Sequence, residues 1–221
     1  MTIYQIYSLG QIVQSDIKKS LSAFSKALQE DKNYSAAYAN TVVYITFALD
    51  KFWYGTIDSF KAGRITSEIF TSKLANQLGI KNDSKIIDSW NAMCEIDIAR
   101  KNEIVDLFRL LSKVPVELII VSVTNPLQYE YIMNNINFIL EDNGLSRLEN
   151  NPSIYTRTSF IKENLSLVSL TKEIIELKQM DKNHHVIFSG HRELTQETLD
   201  IKNAMFVQDD CLRMVGEDSE L

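Results

Sequence analysis

Short apolar runs alternate along this chain with longer segments in which apolar side chains recur at helical spacing. The runs cover residues 3–7, 117–123, 185–189 and 204–208, with a weaker fifth at residues 154–158. Continuous apolar runs of this length, bounded by polar turns, are typical of strands that are buried on both faces of a parallel sheet. The pattern therefore predicts an α/β fold with a doubly wound, Rossmann-like parallel sheet.

The segments that follow the later strands carry signals of helix ends. Asn125 precedes Pro126, which predicts a helix with the asparagine as its N-cap and the proline in its first turn. The helical spacing of apolar residues continues from there as far as Gly144. Residues 167–178 and 195–202 have similar spacing, so we expect a helix in each.

Residues 16–113 interrupt the alternation, because they contain helical patterns and no convincing strand. Thr66 can cap a helix whose apolar positions fall four residues apart until Gly79 ends it. A second helical pattern starts near Asp83 and a third surrounds Ile104. We expect a bundle of helices that is inserted after the first strand of the sheet.

The most apolar stretch of the chain covers residues 41–53. It includes Asp50 and Lys51 and is short, so it predicts a buried helix. We expect its aromatic side chains to form the core of the helical bundle, with a surface for a partner as the alternative. These side chains are Tyr44, Phe47, Phe52, Trp53 and Tyr54.

Composition and charge exclude several function classes. The chain has 29 acidic and 23 basic residues, a formal net charge of -6 and no run of five or more basic residues, so we do not expect it to bind nucleic acid. Cys94 and Cys211 match no zinc-binding spacing, which favours plain thiols in a reducing compartment. The sequence shows neither a signal-peptide pattern nor an uninterrupted run of about 20 apolar residues, which favours a cytoplasmic protein without a membrane span.

Several segments together resemble the haloacid dehalogenase (HAD) superfamily of hydrolases. Residues 61–70, 78–80 and 89–93 are similar to the helical cap of that superfamily. Residues 118–126 are similar to its second motif, a strand that ends in Ser-x-Thr-Asn before a helix. Tyr7-Ser8-Leu9-Gly10 lies where the first strand of the family ends in Asp-Leu-Gly.

The resemblance implies two parts, an α/β core of residues 1–15 and 114–221 and a helical cap of residues 16–113. It also implies a hydrolase chemistry in which an aspartate at the end of the first strand attacks the substrate and becomes a covalent ester. Ser8 stands at that position here. Gly10 stands where typical phosphatase members have the acid that protonates the leaving group.

Two further motifs hold the phosphoryl group in that family. Ser122, with Thr124 and Asn125 beside it, matches the residue that binds a phosphoryl oxygen. The lysine of the third motif has only a displaced candidate, Lys162.

The fourth motif of the family ends a strand in one or two acids that bind Mg²⁺. Here the strand ends at Ser189 and is followed by His191 and Arg192, without an acid. In an alternative register, Asp209 and Asp210 form the acid pair. We prefer the first register because it leaves a helix and a final strand to complete the sheet.

These departures predict a catalytically silent member of the fold, a pseudophosphatase. A serine hydroxyl is a weak nucleophile unless a base removes its proton, and Mg²⁺ requires oxygen ligands that carboxylates usually supply. We expect no resident cofactor and a binding or regulatory role, with a protein or a small anionic ligand as partner. The alternative is an active Mg²⁺-dependent phosphatase or hydrolase of this superfamily that uses a non-standard residue set, with Asp209 or Asp210 on the metal.

The vestigial pocket is expected to be neutral or basic, because its acids are replaced. Such a pocket can hold an anion without Mg²⁺, helped by backbone N–H groups that follow the strands. Its expected lining is Ser8, Leu9, Gly10, Ser122, Thr124, Asn125, Ser189, His191 and Arg192.

Simpler interpretations compete at some of these positions. A serine near a strand end, such as Ser122, more often bonds neighbouring backbone, and Asn125 is accounted for as an N-cap. A metal cluster of histidines or a dyad of Ser8 with His191 has neither a clear third ligand nor an orienting acid in the sequence. The histidines are His184, His185 and His191.

Overall fold

The computed structural model of the chain describes residues 3–13, 15–111, 113–114, 116–160, 167–177, 185–189 and 204–207. Its strands are β1 (Ile3–Ser8), β2 (Val116–Thr124), β3 (Ile154–Phe160), β4 (His185–Ser189) and β5 (Ala204–Val207). They form one parallel sheet in the order β3-β2-β1-β4-β5. The chain therefore starts in the middle of the sheet and winds outward in both directions, which confirms the predicted doubly wound α/β fold.

Helices connect the strands. Between β1 and β2 the chain forms α1 (Leu9–Ile12), α2 (Ile17–Lys32), α3 (Ala36–Leu49), a π-helical turn (Asp50–Tyr54), α4 (Thr56–Lys61), α5 (Ser67–Leu78), α6 (Asp83–Asn91), a 3₁₀ turn (Ala92–Cys94) and α7 (Ile98–Leu111). After β2 come α8 (Pro126–Asp142) and a 3₁₀ turn (Leu148–Asn150), and α9 (Leu167–Leu177) follows β3. The helical insertion after the first strand is confirmed. The domain limits at residues 15 and 113 stay a prediction, and the helix expected at residues 195–202 lies outside the described residues.

Helix ends follow the capping residues that the sequence offers. The Thr66 hydroxyl accepts a hydrogen bond from the Ile69 N–H at 3.4 Å, and α5 ends at Gly79, whose φ of 69° favours glycine. Asn125 Oδ1 accepts from the Gln128 N–H at 3.0 Å, which confirms Asn125 as the N-cap of α8.

An aromatic cluster forms the core of the helical insertion. Phe60 stacks on Phe70 with ring centroids 4.1 Å apart, and Trp90 meets Phe70 edge-on at 4.9 Å. All three rings are buried, and such ring pairs contribute about 0.5–1.5 kcal/mol beyond the burial of their area. The apolar core continues from these rings through α7 to β2. The helical insertion and the sheet therefore share one continuous core.

The expectation that residues 41–53 form a buried helix is wrong. Phe47 is partly buried against Phe24, with ring centroids 5.4 Å apart. The other aromatic side chains of this stretch, Tyr44, Phe52 and Trp53, are exposed. Tyr54, which follows the stretch, is exposed as well. The phenylalanine and tryptophan rings of α4, α5 and α6 already fill the core, so these side chains remain on the surface. Within the described ranges, no helix has both the length and the apolar character that a membrane crossing requires.

Asp50 is a fully buried carboxylate that joins three elements of the insertion. Its Oδ1 accepts from the Thr56 N–H at 3.0 Å and from Gln77 Nε2 at 3.1 Å, and its Oδ2 accepts from the Ile57 N–H at 2.8 Å. Asp50 therefore supplies the carboxylate that caps α4 and links the π-helical turn to α5.

We expect Asp50→Ala to lower the free energy of unfolding by about 2–4 kcal/mol, because it leaves buried donors unpaired. Urea denaturation followed by circular dichroism measures the change. Asp88→Ala, which removes an exposed carboxylate from α6, is the control and should change the free energy by less than about 0.5 kcal/mol. Equal denaturation midpoints for the two variants would contradict the capping role.

Candidate functional site

The topology of the sheet creates a crevice at the carboxyl ends of its central strands. The winding direction reverses between β3 and β4, so the switch point lies between β1 and β4. Ligands of doubly wound sheets bind at this point, outside the carboxyl ends of the strands. Ser8 ends β1 and Ser189 ends β4. Tyr7 pairs with Ser189 in the register, so the two serines lie at the same edge of adjacent strands.

The end of β2 lies on the other side of Ser8. Ser8 pairs with Val121, and the strand continues through Ser122 to Thr124 before Asn125 caps α8. Because neighbouring strands of a sheet lie about 4.7–4.9 Å apart, the structure gathers the ends of all three strands at one edge. Ser8 and Ser189 end neighbouring strands, and Ser122 and Thr124 lie one and three residues beyond Val121, the partner of Ser8. Their joint role in a ligand site stays a prediction.

The side chains beside β2 already have partners in the fold. Ser122 is buried and engaged within the protein. Asn125 is also buried, and its Nδ2 donates to Gln128 Oε1 at 2.6 Å while its Oδ1 holds the helix N-cap. Gln128 Nε2 in turn donates to Met93 Sδ. This network accounts for Asn125 as a residue that supports the β2–α8 turn.

Two more of the predicted lining residues lie in the short helix that follows β1. Leu9 is buried in α1, and Gly10 belongs to the same helix. Leu9 therefore belongs to the packing beneath the crevice, because its side chain is part of the apolar core.

Other predicted site residues fall elsewhere. His185 begins β4 and pairs with Ile3 at the amino edge of the sheet. It is four residues from Ser189, roughly 13 Å along a strand, so it does not share the crevice with the strand ends. The remaining candidates lie outside the described residues, namely Lys162, His184, His191, Arg192, Asp209 and Asp210.

The described strand ends do not fit a magnesium site. They offer hydroxyl groups, and the last residues of β1, β2 and β4 include no carboxylate. Mg²⁺ binds proteins chiefly through carboxylates beside waters and substrate phosphate. Among the residues that the structure describes, no group of three or more histidine, cysteine, aspartate or glutamate side chains is placed to hold a metal ion.

The sequence interpretation missed a charged cavity of about 270 Å³ where the chain leaves the sheet region and returns to it. The Asp16 N–H donates to the Met93 carbonyl at 2.8 Å, and Lys19 Nζ donates to the Glu95 carbonyl at 3.2 Å. These bonds join the outgoing and returning segments of the helical insertion. Asp16 precedes a helical pattern, so the sequence could have identified it as an N-cap. Its long-range hydrogen bond to Met93 has no signature in the sequence.

The other side of this cavity is formed by the start of α7. Asp97 Oδ1 accepts from the Arg100 N–H at 2.8 Å, and Arg100 forms an ion pair with Glu103 at 2.6 Å. These charges pair with one another at the surface of the protein, so the cavity is accounted for as a junction between the helices and the sheet.

Comparison with known proteins identifies the fold. No protein-family model and no curated protein sequence matches the chain. A crystal structure of a HAD family enzyme from Bacteroides thetaiotaomicron is similar with a TM-score of 0.59 and 15% sequence identity, over 99% of this chain and 96% of that chain. A second structure, of an aspartate-to-alanine variant of that enzyme with magnesium and inorganic phosphate, has a TM-score of 0.59 and 16% identity, over 100% of this chain and 98% of that chain. The chain therefore has a HAD-like fold.

Cys94 lies at the junction beside the cavity and is a buried free thiol. Burial raises the pKa of this thiol from 9.0 to about 11. The thiolate is the reactive form, so in a Cys211→Ala background we expect Cys94 to resist alkylation at pH 8 in the folded protein and to react in urea. Mass spectrometry of iodoacetamide-treated samples measures this. Fast labelling of the folded protein would contradict the burial.

The same pKa shift predicts a pH dependence of stability. The unfolded chain loses the Cys94 proton near pH 9 and the folded chain near pH 11. The contribution of the buried, neutral thiol to stability is therefore complete below pH 9 and is lost as the pH rises from 9 to 11. Relative to Cys94→Ala, the free energy of unfolding should fall by about 2–3 kcal/mol across that window. Urea denaturation at pH 8, 9, 10 and 11 measures the difference. Parallel pH profiles for the two proteins would contradict it.

Proposed function

We propose that this protein is a catalytically silent member of the HAD-like fold, a pseudophosphatase that acts as a binding or regulatory module. The observation that carries the proposal is Ser8 at the carboxyl end of the central strand, beside Val121 of β2 and next to the pair of Tyr7 with Ser189. At this position of the fold the nucleophile of an active member is expected, and this chain has a hydroxyl group there.

Chemistry at such a site requires charges that these strand ends lack. A serine becomes an effective nucleophile only when a base removes its proton, and phosphoryl transfer depends on cations that neutralise the developing charge. The last residues of β1, β2 and β4 include neither a carboxylate that could bind Mg²⁺ nor a histidine that could act as a base. These features favour binding over turnover.

We propose a small anionic or phosphorylated ligand for the crevice. Helix α1 starts directly after β1, so backbone N–H groups that follow this strand can receive an anion at the crevice. In the sequence, His191 and Arg192 follow Ser189 closely, and a basic side chain there would supply the charge that Mg²⁺ supplies in an active member. The similar enzyme variant from Bacteroides thetaiotaomicron binds inorganic phosphate together with magnesium although an aspartate is replaced, which supports phosphate as the ligand class for this fold.

The first test is activity. We expect the purified chain to hydrolyse p-nitrophenyl phosphate no faster than buffer, with or without Mg²⁺, because the site lacks an activated nucleophile. Turnover that requires Mg²⁺ and stops on addition of EDTA would overturn the proposal. It would favour the alternative, an active Mg²⁺-dependent phosphatase or hydrolase. Loss of that turnover in Asp209→Asn or Asp210→Asn would then identify the metal ligand.

The second test is anion binding without metal. Isothermal titration with inorganic phosphate in EDTA should show binding, and Arg192→Ala should weaken it about tenfold, as expected for the loss of one charge-assisted hydrogen bond. Ser153→Ala, which changes a serine at the opposite edge of the sheet before β3, is the control and should leave the affinity unchanged. Binding only in the presence of Mg²⁺, or no binding, would contradict the proposed ligand.

A further inference from the structure

One side of α3 carries an exposed stripe that continues onto the π-helical turn. Its residues alternate at spacings of three and four, the pattern by which two helices pack along a seam. We call this stripe the α3 face, and it consists of Tyr38, Thr41, Ile45, Ala48 and Phe52. Every one of them is exposed, whereas Ala39, Val43 and Thr46 of the same helix are buried.

The size of the residues alternates along the α3 face. Tyr38, Ile45 and Phe52 are large, and Thr41 and Ala48 between them are small. When two copies of such a helix lie antiparallel, large residues of one copy face small residues of the other. With Tyr38 opposite Ala48 of a second copy, Thr41 lies opposite Ile45, so one register satisfies both positions.

The α3 face is uncharged in a chain that is acidic overall. No aspartate, glutamate, lysine or arginine occurs from Ala36 to Leu49, while the chain has a formal net charge of -6. Of the two charged residues before Phe52, Asp50 is buried and Lys51 is exposed at the end of the seam. Two copies of an acidic chain repel each other, and a two-fold contact places any charge near the axis beside its own copy. An uncharged helix avoids that cost. It also offers no complementary charge to an acidic or basic partner, which favours a second copy of this chain as the occupant.

The exposed apolar area is large enough for association. Four aromatic side chains on and beside the α3 face are 55–76% exposed, namely Tyr38, Tyr44, Phe52 and Trp53. Since an aromatic side chain buries 150–250 Å² when covered, these four expose on the order of 500 Å² in each copy. A standard interface buries about 800 Å² per partner, and Thr41, Ile45 and Ala48 add to the aromatic area.

We propose that the α3 face is a homodimer interface in which α3 pairs antiparallel with α3 of a second copy. The two-fold axis passes between Thr41 and Ile45, so that Ile45 of each copy contacts Thr41 of the other. Tyr38 and Phe52 cover the two ends of the seam. Asp50 holds the π-helical turn in place from the buried side, and thereby presents Phe52 and Trp53 at the rim of the interface.

Sedimentation equilibrium of the full chain from about 1 to 200 μM tests the proposal. We expect the apparent mass to rise from 25.3 kDa toward twice that value across this range of concentrations. Ile45→Glu places like charges at the seam and should keep the chain monomeric at 200 μM. Ile45 is exposed, so the urea midpoint of this variant, measured at 1 μM, should match that of the unaltered chain.

Two further variants make the test specific. Ile69→Glu introduces the same charge at an exposed isoleucine on α5, outside the α3 face, and should dimerise like the unaltered chain. An equimolar mixture of Thr41→Lys and Ile45→Glu brings opposite charges together only across the antiparallel seam and should form dimers that neither variant forms alone, with an affinity that falls as salt rises. A chain that is monomeric at 200 μM, or dimers that persist in Ile45→Glu, would overturn the interface. Failure of the mixture to dimerise would overturn the antiparallel register.

Discussion

The parallel pairing of β1 with β2 on one side and with β4 on the other is the constraint on which the site depends. Backbone hydrogen bonds in these two ladders set the register that brings Ser8 next to Val121 and Tyr7 next to Ser189. A shift of one residue would turn every side chain of β1 to the opposite face of the sheet. Since β1 is buried on both faces, its apolar packing maintains the register, and the crevice at the switch point follows from it.

The helical insertion is tied to the sheet close to that crevice. The bond from the Asp16 N–H to the Met93 carbonyl joins the two segments that connect the insertion to the sheet, and Gln128 links Met93 to the N-cap of α8. These contacts connect the helices to the turn after β2. The position of the loop at the strand ends therefore depends on the helical insertion.

Within the insertion, two groups of aromatic side chains have opposite roles. Phe60, Phe70 and Trp90 fill the core with stacked and edge-on contacts. The aromatic side chains on α3 and the π-helical turn remain outside that core, where they form a large apolar surface. The buried Asp50 lies between the two groups, and its hydrogen bonds to α4 and α5 set the direction in which the turn presents its exposed rings.

The sequence by itself determined the strands, the helix ends and the class of fold. Apolar runs such as residues 117–123 and caps such as Thr66 and Asn125 act locally, so their pattern is legible without a structure. It also determined that Ser8 ends the first strand, at a position where the family that the sequence resembles has a carboxylate. Periodicity did not decide which aromatic side chains are buried, because α3 is apolar on both sides. Only the tertiary structure decided which aromatic side chains are buried, since burial depends on which neighbouring helices cover each side of α3. The rings of α4, α5 and α6 fill the core of the insertion, so most aromatic side chains of α3 and the π-helical turn lie on the surface.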